Sequence, residues 1–406
     1  MAVTVDEASR QFVDAASVQP APKCSRVAGR GRSKYECGVS EQGFLSASRL
    51  GLHIGVLPAG PQNAITDVEG VRVGHCTVTD PDEPAVQTGV TVVVPQPGNL
   101  FREKLAAAVH VINGFGKSVG LLQVEELGQL ESPIALTNTL SVPAVTEGLL
   151  DHLLAENPEI GTTTGSVNAV VLECNDGFLS DLRGRHVRRD HVARALEDAG
   201  PHVVQGAVGA GRGMSAYGLK GGIGTASRVV ETSDFAAVVG VLVLANFGRL
   251  SELVVVGRRV GAVLARERRA DPDPLGAGSV IVVAATDAPL SERQLARVLR
   301  RAQSGIARTG STVSSGSGEI VVGFTTASRI PHVPDSPTVP LALLREDGPL
   351  IDRLFTALAE ATEEAILNAL VNAETVEGRA GARRLAFPVD RLAELLATAE
   401  REEGLP

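Results

Sequence analysis

Ser279 follows a run of small residues and opens an apolar run, residues 279–285, that predicts a buried strand. A serine hydroxyl is a weak nucleophile near neutral pH and needs a base beside it. An α-amino group, with a pKa of about 7.7–8.0, supplies that base if the chain is cut before the serine. Gly276, Ala277 and Gly278 let the hydroxyl approach the preceding carbonyl, because small residues leave the backbone free. The local sequence therefore permits self-cleavage between Gly278 and Ser279, although the same pattern is typical of an ordinary turn.

Further motifs follow one another in a fixed order between residues 61 and 376. In chain order they are ITDVEGVRVGH from Ile65, LTNTLSV from Leu136, ECNDG from Glu173, LKGGIGTAS from Leu219, VLANFG from Val243, GSVIVV from Gly278, TDAPL from Thr286 and GSGEI from Gly316. With these motifs the chain resembles the L-aminopeptidase/D-esterase family, which includes β-peptidyl aminopeptidases and nylon-oligomer hydrolases. Such a set in this order is specific for the family and much less specific for the substrate.

The resemblance implies a catalytic group around Ser279. Cleavage after Gly278 would release Ser279 as an N-terminal nucleophile, and Ser317 and Glu319 match the family's pair that holds the terminal amine and hydroxyl. Because Ser317 and Glu319 are two residues apart on a predicted strand, their side chains face the same side. A carboxylate there can orient an ammonium group, either that of Ser279 or that of a substrate. Outside this motif, the same pair would merely solvate the beginning of a strand.

The resemblance also implies supporting residues and a reaction. Asn246 matches the family's oxyanion-stabilising amide, a neutral donor suited to a developing alkoxide. Lys220 would polarise the site or aid processing, the competing interpretation being a surface lysine, and Asn138 and Thr139 would line the pocket. The implied activity is release of N-terminal residues from small peptides, amides or esters through an acyl-enzyme on Ser279. No metal or organic cofactor is expected.

The expected fold is mixed α/β (α+β). The resemblance implies an αββα sandwich of the aminopeptidase/ornithine acetyltransferase-like type, two sheets between helix layers, and an oligomer of processed two-chain units. The residue patterns predict strands at 71–75, 88–94, 168–173, 205–209, 235–245, 279–285 and 319–324. They predict helices at 105–110, 117–127, 291–302 and 349–373.

The chain is expected to divide into three segments. Residues 1–52 mix Pro, Gly, Ser and basic residues without periodicity and are predicted to be a flexible extension, either a loose arm or a docking segment. Residues 53–278 form the large segment of the hydrolase domain. Residues 279–406 form the small segment of the same domain, and the two segments are expected to remain intertwined after cleavage.

Composition excludes several other classes. A net charge of −9 gives no basic footprint for nucleic acid or an anionic membrane, and no apolar run is long enough for a membrane span. The first residues carry acids and no signal-peptide core. The cysteines show no CxxC spacing, which argues against zinc and against a disulfide framework and favours a reducing cytoplasm. They are Cys24, Cys37, Cys76 and Cys174.

Some patterns imitate other functions. The segment NGFGKS from Asn113 ends like a phosphate-binding loop, but Val111 stands where that loop requires glycine. Residues 206–224 are rich in glycine without the register or the acidic residue of a dinucleotide site. The histidines stand alone, so no three-ligand zinc set is apparent, and no G-x-S-x-G elbow occurs.

Two alternatives to the hydrolase remain open. An acyltransferase of the ornithine acetyltransferase type would pass the acyl group of the same intermediate to an amine instead of water. A non-catalytic scaffold would retain the fold and tolerate loss of Ser279.

Overall fold

The computed structural model describes residues 46–268 and 278–404. The strands are β1 (Arg72–Thr79), β2 (Gln87–Val94), β3 (Glu103–Gly114), β4 (Gln129–Leu130), β5 (Ile134–Asn138), β6 (Val170–Cys174), β7 (Ser215–Ala216), β8 (Leu219–Lys220), β9 (Gly222–Glu231), β10 (Ala236–Asn246), β11 (Ser279–Thr286), β12 (Gly318–Pro331), β13 (Val376–Glu377) and β14 (Arg383–Arg384). The α-helices are α1 (Leu121–Leu127), α2 (Val142–Glu156), α3 (Arg189–Glu197), α4 (Val260–Glu267), α5 (Glu292–Leu299), α6 (Ala302–Arg308), α7 (Pro349–Val371) and α8 (Leu392–Glu402).

The main strands form two sheets. The first has the order β1-β2-β5-β6, and the second has the order β4-β3-β12-β11-β10-β9. Strand β11 lies in the interior of the second sheet, antiparallel to β10 and parallel to β12. Because β10 precedes Gly278 and β12 follows it, the two segments on either side of the predicted cleavage bond share one continuous sheet.

Three apolar cores separate four layers. Residues of both sheets, such as Leu136 and Ile281, share a core between the sheets. Val92 of the first sheet packs with Val145 of α2, while Val282 of the second packs with Leu358 of α7. This alternation follows from strand geometry, in which neighbouring residues face opposite sides. The order helix, sheet, sheet, helix confirms the predicted αββα sandwich.

Helix α7 covers the second sheet with a partly charged face. Arg228 of β9 is fully buried and is paired with Glu360 at 3.1 Å and with Glu364 at 2.7 Å. Two carboxylates are paired with one guanidinium here, so this face of α7 is held to the sheet by ion pairs as well as by apolar packing. No described helix combines the length and the apolar character needed to cross a membrane.

Two predicted elements were wrong. Residues 105–110, predicted to be helical, lie in β3, which pairs with β12 along most of its length. Alanine favours helices in isolation, but sheet pairing and burial of residues such as Leu105 and Ala107 decide here. Residues 205–209 form no strand, because Gly206 makes only an isolated bridge to Ile223 and takes a φ of +87°.

Other predictions agree with the structure in type. The helix predicted at 117–127 begins at Leu121, after Gly120 has taken a φ of +84°. Ser291 caps α5 as expected, since its Oγ accepts a hydrogen bond from the Gln294 N–H at 3.2 Å. Residues 1–45, most of the predicted extension, lie outside the described residues. From residue 46 onward the extension packs on the domain: Ala47 is fully buried and its N–H donates to Asn368 Oδ1 at 2.8 Å.

Candidate active site

The site lies at one end of the sandwich, where strands of both sheets end together. Asn246 ends β10 directly opposite Ser279, which begins β11 and is in turn beside Gly318 at the start of β12. From the first sheet, Cys174 at the end of β6 donates its thiol to Ser279 O at 3.4 Å. The fold therefore brings together four of the sequence motifs, ECNDG, VLANFG, GSVIVV and GSGEI.

The Ser279 hydroxyl faces the bond that the sequence predicts to be cut. Ser279 is only 5% exposed, and its Oγ donates to Gly278 O at 2.7 Å. The Gly318 N–H lies 3.1 Å from Gly278 O and 3.3 Å from Ser279 Oγ. A Cβ at residue 318 would lie 2.6 Å from Phe115 O, so only glycine fits without displacing backbone. The carbonyl thus has a hydroxyl within reach and a backbone donor on its oxygen.

Asn246 is held in one orientation by the backbone. Its Oδ1 accepts from the Ser215 N–H at 2.8 Å, and its Nδ2 donates to Asn175 O at 2.9 Å. An amide nitrogen carries two protons, so a second donor remains after the bond to Asn175. The following Phe247 is fixed by its carbonyl, which accepts from the Tyr217 N–H at 2.7 Å. The amide is therefore fixed in place on the strand position opposite Ser279, with one N–H left to donate.

Ser317 and Glu319 form a hydrogen-bonded pair, with Ser317 Oγ donating to Glu319 Oε1. Both are buried, and Glu319 Oε2 has no hydrogen-bond partner among the described residues. Burial raises the pKa of Glu319 to about 7, against the opposing effect of the Ser317 hydroxyl. The pair can therefore exchange a proton near neutral pH and has one oxygen free to accept from an ammonium group.

Asn113, at the end of β3, is a site residue that the sequence interpretation missed. Its Nδ2 donates to Ser317 O and also lies 3.1 Å from Ser314 O and 3.3 Å from Ser315 O. One side chain thus fastens the turn that carries Ser317. The sequence offers one indication of this role, the position of Asn113 in the NGFGKS segment, but that segment drew attention only for its likeness to a phosphate-binding loop.

The rest of the NGFGKS segment crosses from β3 to the first sheet and forms one wall of the site. The Lys117 N–H donates to Glu173 Oε1 at 2.8 Å, and Thr139 Oγ1 donates to Glu173 Oε2. Phe115 is 57% exposed and Leu140 is 46% exposed. Thr139 is therefore held by the same glutamate as the backbone of Lys117, and it precedes the exposed Leu140.

Asn138 and Lys220 are engaged in the scaffold. Asn138 is buried, its Oδ1 accepts from the Ser141 N–H at 3.0 Å, and its Nδ2 donates to Thr88 Oγ1 at 2.8 Å. Lys220 is not a surface residue: it is fully buried, and its Nζ lies within 2.9 Å of the carbonyls of Gly211, Met214 and Gly221. Burial lowers the pKa of Lys220 well below its ordinary value. Its three carbonyl contacts hold together the glycine-rich segment before β9.

Comparisons with known proteins identify the family of the chain. The model of Peptidase family S58 matches residues 63–384. Beta-peptidyl aminopeptidase BapA of Sphingosinicella xenopeptidilytica is 40% identical over 354 residues, covering 83% of this chain and 87% of that protein. A solved Burkholderia sp. beta-aminopeptidase has a TM-score of 0.81 at 42% identity, covering 87% of this chain and 99% of that one.

A second solved structure links the fold to a mechanistic class. The L-aminopeptidase D-Ala-esterase/amidase of Ochrobactrum anthropi, a prototype of the serine aminopeptidases with a variant of the Ntn (N-terminal nucleophile) hydrolase fold, has a TM-score of 0.79 at 33% identity. The match covers 88% of this chain and 99% of that one. The resemblance predicted from the motifs is thus confirmed, and the chain belongs to Peptidase family S58 as a hydrolase of peptide or amide bonds.

Proposed function

We propose that the chain cuts itself between Gly278 and Ser279 and that Ser279 then removes N-terminal residues from small peptides, amides or esters. The observation that carries the proposal is the position of Ser279 Oγ, 2.7 Å from Gly278 O and between the ends of β10 and β12. Asn246 and the Ser317–Glu319 pair lie on those two neighbours. This arrangement supports Ser279 as the nucleophile, Asn246 as the oxyanion donor and Glu319 as the carboxylate that holds the terminal ammonium group.

Processing begins with attack of Ser279 Oγ on the Gly278 carbonyl carbon. The hydroxyl proton leaves, the C–N bond breaks, and the proton goes to the nitrogen, so that an ester replaces the amide. The Gly318 N–H, 3.1 Å from Gly278 O, stabilises the negative charge that develops on that oxygen. Water then hydrolyses the ester and leaves residue 278 with a carboxylate and Ser279 with a free amine.

Turnover uses the amine that processing releases. The amine accepts the Ser279 hydroxyl proton, Oγ attacks the substrate carbonyl, and Asn246 donates to the oxyanion. The leaving amine takes up a proton and departs, and water then hydrolyses the acyl-enzyme. Glu319 Oε2, which has no hydrogen-bond partner within residues 46–268 and 278–404, can accept a hydrogen bond from the new ammonium group and keep it beside Oγ.

The relatives support a substrate with a free amino terminus. One is named a beta-peptidyl aminopeptidase, another a beta-aminopeptidase and the third an L-aminopeptidase D-Ala-esterase/amidase. All three names describe hydrolysis that releases an N-terminal aminoacyl group, and they differ in which aminoacyl group is released. We therefore propose α- and β-aminoacyl peptides, amides and esters as the substrate class.

We also propose that residues 53–278 and 279–406 remain one folded unit, that processed units form a homo-oligomer and that they work in the cytoplasm. Eight residue pairs join β10 to β11 across the cut, from Val239 with Thr286 to Asn246 with Ser279, which supports a stable two-chain unit. Leu122 and Leu127 of α1 and the nearby Val119 are all exposed, and such a group of apolar side chains supports contact with a second copy there. Cys76 and Cys174 are free thiols, which fits a reducing compartment.

A panel of α- and β-aminoacyl p-nitroanilides, tested with wild-type and Ser279→Ala protein, examines this proposal. We expect wild-type protein to release p-nitroaniline and Ser279→Ala to remain intact and inactive. Ser291→Ala is the matched control: it removes the same hydroxyl group, but Ser291 caps the N-terminus of α5 and lies away from the site. Turnover by Ser279→Ala equal to that of wild type would overturn the proposal.

A further inference from the structure

Lys117 occupies a position on the wall of the site that the proposed mechanism does not use. It follows Phe115, whose carbonyl oxygen packs against Gly318, and Gly318 in turn donates to Ser279 Oγ. The backbone of Lys117 is fixed by its N–H bond to Glu173 Oε1. The backbone of Lys117 is therefore fixed at the rim of the site, and its side chain extends from there.

The Lys117 ammonium group lacks an acidic partner. Its Nζ lies 4.5 Å from the centre of the Phe115 ring, and no carboxylate among residues 46–268 and 278–404 forms an ion pair with it. The other lysines of those ranges are buried, Lys104 against Glu131 and Lys220 against backbone carbonyls. Lys117 is thus an exposed cation in a chain of net charge −9, beside the proposed nucleophile.

The distances suit a short peptide. Strands lie about 4.8 Å apart, so β3, two strands away from β11, places the rim roughly 10 Å from Ser279. An extended chain advances about 3.3–3.6 Å per residue. With the first carbonyl at Ser279, the C-terminal carboxylate lies one residue away in a dipeptide, about 3.5 Å, and two residues away in a tripeptide, about 7 Å. The long, flexible side chain of Lys117 spans the remaining distance to the rim.

We infer that Lys117 and the exposed ring of Phe115 form a subsite for the C-terminal carboxylate of a short peptide. This inference rests on the proposed function and narrows its substrate class to free di- and tripeptide acids in preference to their C-terminal amides. The ring supplies an apolar surface for the leaving residue, and the ammonium group supplies a charge-assisted hydrogen bond.

The test compares two substrates that differ only at the C-terminus. The probes are a dipeptide X-Ala as free acid and as C-terminal amide, where X is the residue preferred in the p-nitroanilide panel. Processed wild-type protein, Lys117→Gln, Lys117→Arg and the control Arg300→Gln are assayed for release of X. Arg300 is an exposed cation on the far side of β3, near α5, so its replacement removes the same charge away from the rim.

We expect Lys117→Gln to lower kcat/KM for the acid about tenfold, mainly through KM, and to change the amide less than twofold. Lys117→Arg should keep the preference, and Arg300→Gln should leave both substrates unchanged. Equal losses for acid and amide, or no loss for either, would overturn the inference. Hydrolysis of the amide by Lys117→Gln shows that processing and catalysis are intact in this variant. Failure of the subsite inference can therefore be told apart from failure of the proposed function.

Discussion

Replacing Asn246 by alanine tests the oxyanion role most sharply. The amide has one Nδ2 proton occupied by Asn175 O, so a single N–H is available to the substrate. Loss of one such donor typically costs about 10²–10³ in kcat, or roughly 2.7–4 kcal/mol of transition-state stabilisation. Because the donor acts on charge that develops during reaction, KM should change little. Steady-state hydrolysis of the preferred p-nitroanilide by processed Asn246→Ala gives both constants.

Two further readouts separate catalysis from folding. In the intact chain Gly278 O is held by the Gly318 N–H and Ser279 Oγ, so Asn246→Ala should still process. Asn138→Ala is the matched control, a second buried strand-end asparagine whose bonds to Ser141 and Thr88 are structural. It should lower the free energy of unfolding by about 1–2 kcal/mol and leave kcat nearly unchanged. A kcat for Asn246→Ala within about threefold of wild type would refute the reasoning.

Further predictions concern three neighbours of the nucleophile. Asn113→Ala should lower kcat/KM about tenfold, because the turn that carries Ser317 loses the contacts of Asn113 Nδ2 with three carbonyl oxygens. Steady-state kinetics of the processed variant measure this loss, and unchanged kinetics would exclude a positioning role. Gly318→Ala should slow processing, since the added Cβ would lie 2.6 Å from Phe115 O and 3.2 Å from Ser279 Oγ. Denaturing electrophoresis over time follows the cleavage, and cleavage at the wild-type rate would contradict the close packing around Gly318. Burial raises the pKa of Glu319 from 4.5 to about 7, so the folded protein holds this proton more tightly than the unfolded chain does. In uncleaved Ser279→Ala protein the free energy of unfolding should therefore fall as the pH rises from about 4.5 to 7. Glu319→Gln in that background should reduce the fall in urea unfolding between pH 5 and 8, and identical pH profiles would contradict this.

Much of the fold could be predicted because its periodicity is strong. Strands β2 and β11 are buried on both faces, so apart from Gln87 at the start of β2 all their residues are apolar or small. Residues 105–110 misled because KLAAAVH contains helix-favouring alanine, and only pairing with β12, more than 200 residues later, makes it a strand. Local sequence contains no trace of that partner.

The site was predictable where motifs carry the chemistry. The motifs single out Ser279, Asn246, Ser317 and Glu319, which lie on three neighbouring strand ends, with Ser317 and Glu319 on either side of the Gly318 that pairs with Ser279. Their catalytic roles stay predictions. Asn113 was missed because its function depends on three carbonyls about 200 residues away, which no local pattern records. The complete burial of Lys220 could not be predicted, because a single lysine among glycines gives no indication of burial.

The most direct test of the central claim is the intact mass of purified protein under denaturing conditions, with N-terminal sequencing of each chain. We predict two chains for wild type, the smaller beginning at Ser279, and one uncut chain for Ser279→Ala. A single wild-type chain of 42.1 kDa that persists on incubation and still hydrolyses aminoacyl p-nitroanilides would contradict the account.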